Sequence, residues 1–125
     1  MIALDASALL AFLFREEGHE RVSPLIENAC LSAVNLSEVL GRFARDGHDV
    51  QKVFKRLLSS TIEIVPFGAE DAALAASILP KTQSLGLSIG DRACLALAIV
   101  RGIPALTADR TWAGLDVGVE VRLIR

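Results

Sequence analysis

Tyrosine is absent from this sequence, and cysteine and histidine occur only twice each. His19 and His48 each follow a glycine at an expected helix boundary, far from any candidate nucleophile, so a histidine-based catalytic triad has no base in place. Cys30 and Cys94 lack C-x-x-C spacing, and a zinc site built from these thiols and imidazoles is not expected. A Cys30–Cys94 disulfide is the alternative to the expected state, two reduced core thiols. No glycine-rich phosphate loop is present. The apolar run Ala8–Phe14 lies between Asp5 and Arg15-Glu16-Glu17, too short to span a bilayer and without the basic flank of a signal peptide. A cytoplasmic protein without membrane contact is expected. An excess of positive charge is missing too, since the net charge is -2. That balance does not by itself mark a nucleic-acid binder. If four of the acids serve as ligands, however, the remaining surface is mildly basic and compatible with RNA.

What is present suits one domain over residues 1–125. Hydrophobic residues make up 52% and charged residues 22%, which excludes disorder. Short apolar strands are expected at 2–5, 30–34, 61–67, 104–108 and 117–124. Helical patterns fall at 6–17, 20–28, 35–45, 50–58, 70–79 and 88–100, with Pro80 ending or kinking the fifth. The order β-α-α-β-α-α-β-α-α-β-β predicts an α/β fold with a mainly parallel central sheet flanked by helices. The last strand alternates Val119, Val121 and Leu123 with charged residues, which suits an edge.

In such sheets functional groups gather beyond the carboxyl ends of the strands. Asp5 ends the first strand, Asp109 follows the fourth, and Glu38 opens the helix leaving the second. Asp91 opens the helix before the fourth strand and joins them if that helix start points the same way. Clustered carboxylates repel, and a hard cation such as Mg²⁺ or Mn²⁺ relieves the repulsion. An ion so held activates water and stabilises phosphate oxygens. Each acid also has a plainer reading. Asn35 and Glu38, like Ser88 and Asp91, have the spacing of a helix cap and its partner, and Asp109 suits a turn or a short-helix cap. Asp5, a lone acid ending an apolar strand, is hardest to explain structurally.

Four segments carry a resemblance: Asp5-Ala6-Ser7, Ser32 to Val39, Leu87 to Ala98, and Leu106 to Trp112. In that order and spacing the chain resembles the PIN-domain ribonucleases, and among them the VapC-like toxins of type II toxin–antitoxin pairs. The resemblance implies a PIN-like three-layer fold and a metal-dependent endoribonuclease. Asp5, Asp91 and Asp109 would hold Mg²⁺ (or Mn²⁺), and Glu38 would orient the attacking water. Ser7, Asn35 and Thr107 would support the carboxylates from behind. It further implies an RNA substrate, a homodimer, and a cognate VapB-like antitoxin covering the site. The alternative is a catalytically weak PIN-like domain that binds protein or RNA.

Arg92 and Arg110 each follow a site acid and are candidates to contact substrate phosphate or pair with a carboxylate. Arg42, Arg45, Lys52, Lys55 and Arg56 form either a phosphate-contacting stripe or a solvated helix face. Trp112 is expected as a core or loop anchor rather than a base-stacking platform. The apolar face Leu9, Leu10, Leu13 exceeds what a small core needs and points to dimer or antitoxin contacts. An aspartyl-phosphate mechanism fits poorly, because position 7 is serine and the third strand ends in Pro66-Phe67.

Overall fold

A computed structural model describes all 125 residues. Five strands, β1 (Ile2–Leu4), β2 (Ala29–Ser32), β3 (Glu63–Val65), β4 (Ala105–Thr107) and β5 (Val121–Leu123), form one sheet in the order β3-β2-β1-β4-β5. All four pairings are parallel, with Ala3 opposite both Cys30 and Ala105. Seven helices complete the chain: α1 (Ala6–Phe14), α2 (His19–Val22), α3 (Ala33–Arg45), α4 (Val50–Leu58), α5 (Ala69–Ser77), α6 (Leu79–Thr82) and α7 (Ile89–Arg101).

The alternation of strand side chains divides the interior into two cores. Ile2, Leu4, Leu31 and Leu106 point into the larger core, with Leu9 of α1 and Val39 of α3. Ala3, Cys30 and Ala105 point to the other face, against Cys94, Leu95 and Ala98 of α7. Small residues meet small residues there, so α7 lies close on the sheet and is buried along most of its length. Both cysteines are buried free thiols. Trp112 is fully buried in the second core, as an anchor. No helix is long and apolar enough to cross a membrane.

Local chemistry trims several expected elements. The second helix stops at Val22 and continues as a 3-10 segment over Ser23–Asn28, because Pro24 lacks the amide that an α-turn needs. Pro80 sits in the first turn of α6, where its missing donor costs nothing, so it opens a short helix after α5 has ended. The third and fifth strands shrink to three residues each, and β5 does form an edge. The third helix begins at Ala33, two residues early, because Ser32 caps it by accepting the Val34 amide.

Gly18, at φ 92°, turns the chain between α1 and α2 where only glycine fits: a Cβ would overlap the Ile124 backbone carbonyl. Gly18→Ala should destabilise the protein by about 2–3 kcal/mol, read as a lower denaturant midpoint at unchanged slope.

Candidate active site

The order β3-β2-β1-β4-β5 has its switch point between β1 and β4, since the chain leaves β1 toward β2 and reaches β4 only later. A crevice opens at such a point beyond the carboxyl ends of the strands. Here it is a cleft of about 420 Å³ lined by Asp5, Ser7, Glu38, Asp91 and Asp109, with Gly41, Arg42 and Arg45 along one wall. All four acids singled out in the sequence therefore meet in one place.

Asp5 immediately follows β1 and occupies the N-cap position of α1, yet its carboxylate makes no capping bond. Instead its Oδ2 accepts hydrogen bonds from Ser7 Oγ (2.6 Å) and Thr107 Oγ1 (2.8 Å). The Ser7 hydroxyl also accepts the Ala108 amide at 3.0 Å, tying the two central strand ends together. Asp5 is 3% exposed. Its pKa is raised to about 6, above all by burial; the Ser7 and Thr107 hydroxyls lower it, while the charges of Asp91 and Glu38 raise it further.

Glu38 projects from α3. Asn35, one turn earlier, is fully buried, and its amide nitrogen donates to Glu38 Oε1 and to the Gly90 carbonyl, both at 2.9 Å. The capping role expected of Asn35 falls to Ser32, and Asn35 instead bridges α3 to the first turn of α7. Gly90 forms the seat of this contact, since a Cβ there would overlap the Glu38 carboxylate. The next residue, Asp91, closes a capping box with Ser88: its Oδ2 accepts the Ser88 amide at 2.8 Å. Asp109 caps the 3-10 turn Arg110–Trp112, its Oδ1 accepting from the Thr111 amide and hydroxyl.

Structural and chemical readings of these acids thus fall on different oxygens. Each carboxylate commits one oxygen to the protein and leaves Asp5 Oδ1, Glu38 Oε2, Asp91 Oδ1 and Asp109 Oδ2 without a protein partner. An oxygen-only donor set of this kind suits a hard divalent cation. No three of the acids converge closely enough to form a preformed cage. Mg²⁺, which retains several waters and takes one or two carboxylates directly, needs no such cage.

Neither Arg92 nor Arg110 pairs with a site carboxylate. Arg92 points away from the acids: one helical residue past Asp91, it is rotated around α7 toward α5, where its Nη1 donates to the Ala75 carbonyl at 3.0 Å. That carbonyl belongs to the last turn of α5, which lacks an intrahelical partner. Arg110 turns outward and donates to the Arg125 carbonyl at 3.2 Å. The cations that do line the cleft, Arg42 and Arg45, lie one and two turns beyond Glu38 on α3. The sequence marks both only as part of a basic stripe or a solvated helix face; their i+4 and i+7 spacing from Glu38 is the signal that places them on this wall.

A family model for the PIN domain matches residues 2–117. No curated protein matches the chain at a significant level. Among solved structures, the chain is similar to a toxin–antitoxin complex from Klebsiella pneumoniae, with 19% identity, 99% of this chain and 97% of that chain covered, and a TM-score of 0.73. It is similar to DNA-bound VapBC from Salmonella typhimurium, with 16% identity, coverages of 99% and 98%, and a TM-score of 0.72. It is also similar to VapC20 from Mycobacterium tuberculosis, a toxin that cleaves the sarcin-ricin loop, with 20% identity, coverages of 96% and 99%, and a TM-score of 0.75. At these identities the likeness is one of fold.

Proposed function

Because the chain belongs to the PIN-domain family, we propose that it is a metal-dependent endoribonuclease acting as the toxin of a VapBC-type toxin–antitoxin pair. The observation that carries this reading is the cleft at the switch point, where four carboxylates are fixed by one oxygen each and keep the other free. Asp5 and Asp91 would hold Mg²⁺ or Mn²⁺, with Asp109 completing or neighbouring the set. When bound, such an ion supplies positive charge against phosphate oxygens and makes water more acidic.

The protein's own residues do the rest. Ser7 and Thr107 fix Asp5 through Oδ2 and leave Oδ1 free at the cleft that Asp5 lines. Asn35 aims Glu38, whose free Oε2 orients a water toward the phosphorus and takes its proton. The antitoxin partner draws on the neighbouring folds, which include complexes of that kind. A homodimer and a cytoplasmic location belong to the same reading.

The alternative is a weakly active binding module, and one experiment separates the two. Purified chain freed of any partner should cleave RNA with Mg²⁺ or Mn²⁺. Cleavage should fall at least about tenfold in excess chelator and return when the ion is restored. Cleavage that ignores the chelator overturns the mechanism, and none under any condition favours the module.

A further inference from the structure

Positions 38, 41, 42 and 45 share one face of α3, by the three- and four-residue spacing of a helix. The cleft wall therefore passes from an acid to cations along a single helix, over roughly 10 Å. Between them lies bare backbone: no atom stands within 4 Å of where a Cβ of Gly41 would sit. Arg42 is tied down, stacked 4.7 Å over the Phe14 ring and paired with Asp46. Arg45 is free by comparison, with a side chain 72% exposed and a single 3.6 Å contact to Asp46.

Beyond the turn that follows, His48 packs edge-on against Phe43 of α3, which stacks on the Phe14 ring beneath Arg42, so the start of α4 is tied to this wall. His48, Asp49, Lys52, Val53 and Arg56 line a shallow groove of about 170 Å³ at the start of α4. This helix holds Lys52, Lys55 and Arg56 and no acid of its own, and Asp49 is occupied in capping the amides of Gln51 and Lys52. None of the three cations makes an ion pair, whereas Arg42, Arg45, Arg101 and Arg122 all do. The opposite wall of the cleft offers no cation, because Arg92 and Arg110 are engaged with backbone carbonyls elsewhere. Positive charge left unneutralised on one side only is what a polyanionic strand with a defined exit requires.

We propose that the RNA strand on one side of the cleavage point leaves the cleft across Gly41 and is held through its phosphates by Arg45, Lys52 and Arg56. The inference rests on the nuclease reading, but its test reads binding rather than cleavage. In an Asp5→Asn background, the affinity for a labelled fifteen-nucleotide single-stranded RNA is measured by anisotropy across a salt series. Adding Lys52→Ala and Arg56→Ala, both at exposed positions, should weaken binding at least tenfold at low salt. It should also reduce the slope of log K against log salt by about 1.4, the value for two phosphate contacts on a single strand. The matched control, Arg21→Ala with Lys81→Ala, removes the same charge elsewhere and should leave the slope unchanged.

An unchanged slope in the α4 variant, or an equal fall in the control, overturns the inference. So does a variant that binds RNA normally but loses a co-expressed partner protein, since the face would then be a protein-docking surface. If the slope falls as expected while the parent chain shows no cleavage, the strand path stands and the catalytic reading fails.

Discussion

Asp5→Asn should lower RNA cleavage roughly a hundred- to a thousandfold while leaving the protein folded and, at neutral pH, more stable than the parent. The two effects have one cause. Asp5 is buried with its pKa raised to about 6 from 3.8, so ionising it inside the fold costs more than in the unfolded chain. Between those two pH values the folded state binds more protons than the unfolded state, and stability falls as pH rises. The contribution of protonated Asp5 is fully present below about pH 4 and is gone once pH has passed about 6, a loss of order 3 kcal/mol. Asparagine has no such titration, yet its carbonyl accepts the same two hydroxyls, Ser7 and Thr107. Denaturant melts of the metal-free proteins at pH 4 and pH 7 should show the parent losing ground to the variant by about that amount. Saturating Mg²⁺ at pH 7 should narrow the gap, because a ligand of the folded parent stabilises it. A variant that retains full activity, or a pH-independent gap, would show that Asp5 does not hold the charge on which the site depends.

Gly90→Ala should separate activity from stability in a different way. In a helix interior this exchange ordinarily stabilises by roughly 0.5–1 kcal/mol, and in a first turn such as that of Gly90 by less. Here the new methyl group would occupy the seat of the Glu38 carboxylate. Glu38 is exposed, so its side chain has room to swing aside, but it then leaves Asn35 and its place in the cleft. The expected result is a fall in kcat of roughly ten- to a hundredfold, with KM for RNA nearly unchanged and the denaturation midpoint at or above that of the parent. Normal kcat would remove Glu38 from the mechanism. A lower midpoint would mean that Gly90 serves packing rather than the site.

The sequence made the acids legible for a physical reason. Strand ends in a parallel sheet face one edge, so Asp5, Glu38 and Asp109 could be placed there once the strands were recognised. Asp91 depended on where one helix starts, which spacing does not reveal, and the close approach of α7 to β1 brought it in. Directions around a helix were harder still. Arg92 adjoins Asp91 in sequence but is rotated away from it, and the unpartnered carbonyls closing α5 draw its guanidinium elsewhere. Asn35 shows the same limit, because its spacing to Glu38 suits a cap as well as a bridge. Only the position of Gly90, fifty-five residues away, separates the two. Strand lengths were overestimated because β-branched runs such as Thr61–Phe67 extend into loops that no neighbour pairs.

The bond from Thr107 to Asp5 joins residues 102 positions apart, and this has a consequence in time. A chain growing at about 5–20 residues per second displays Asp5 to the cell well before residues 105–109 exist. Until they dock beside β1, Asp5 lacks the Thr107 hydroxyl and Asp109 is missing from the cleft. The four-acid cleft is therefore absent from the growing polypeptide until β4 and Asp109 have been made and have docked beside β1.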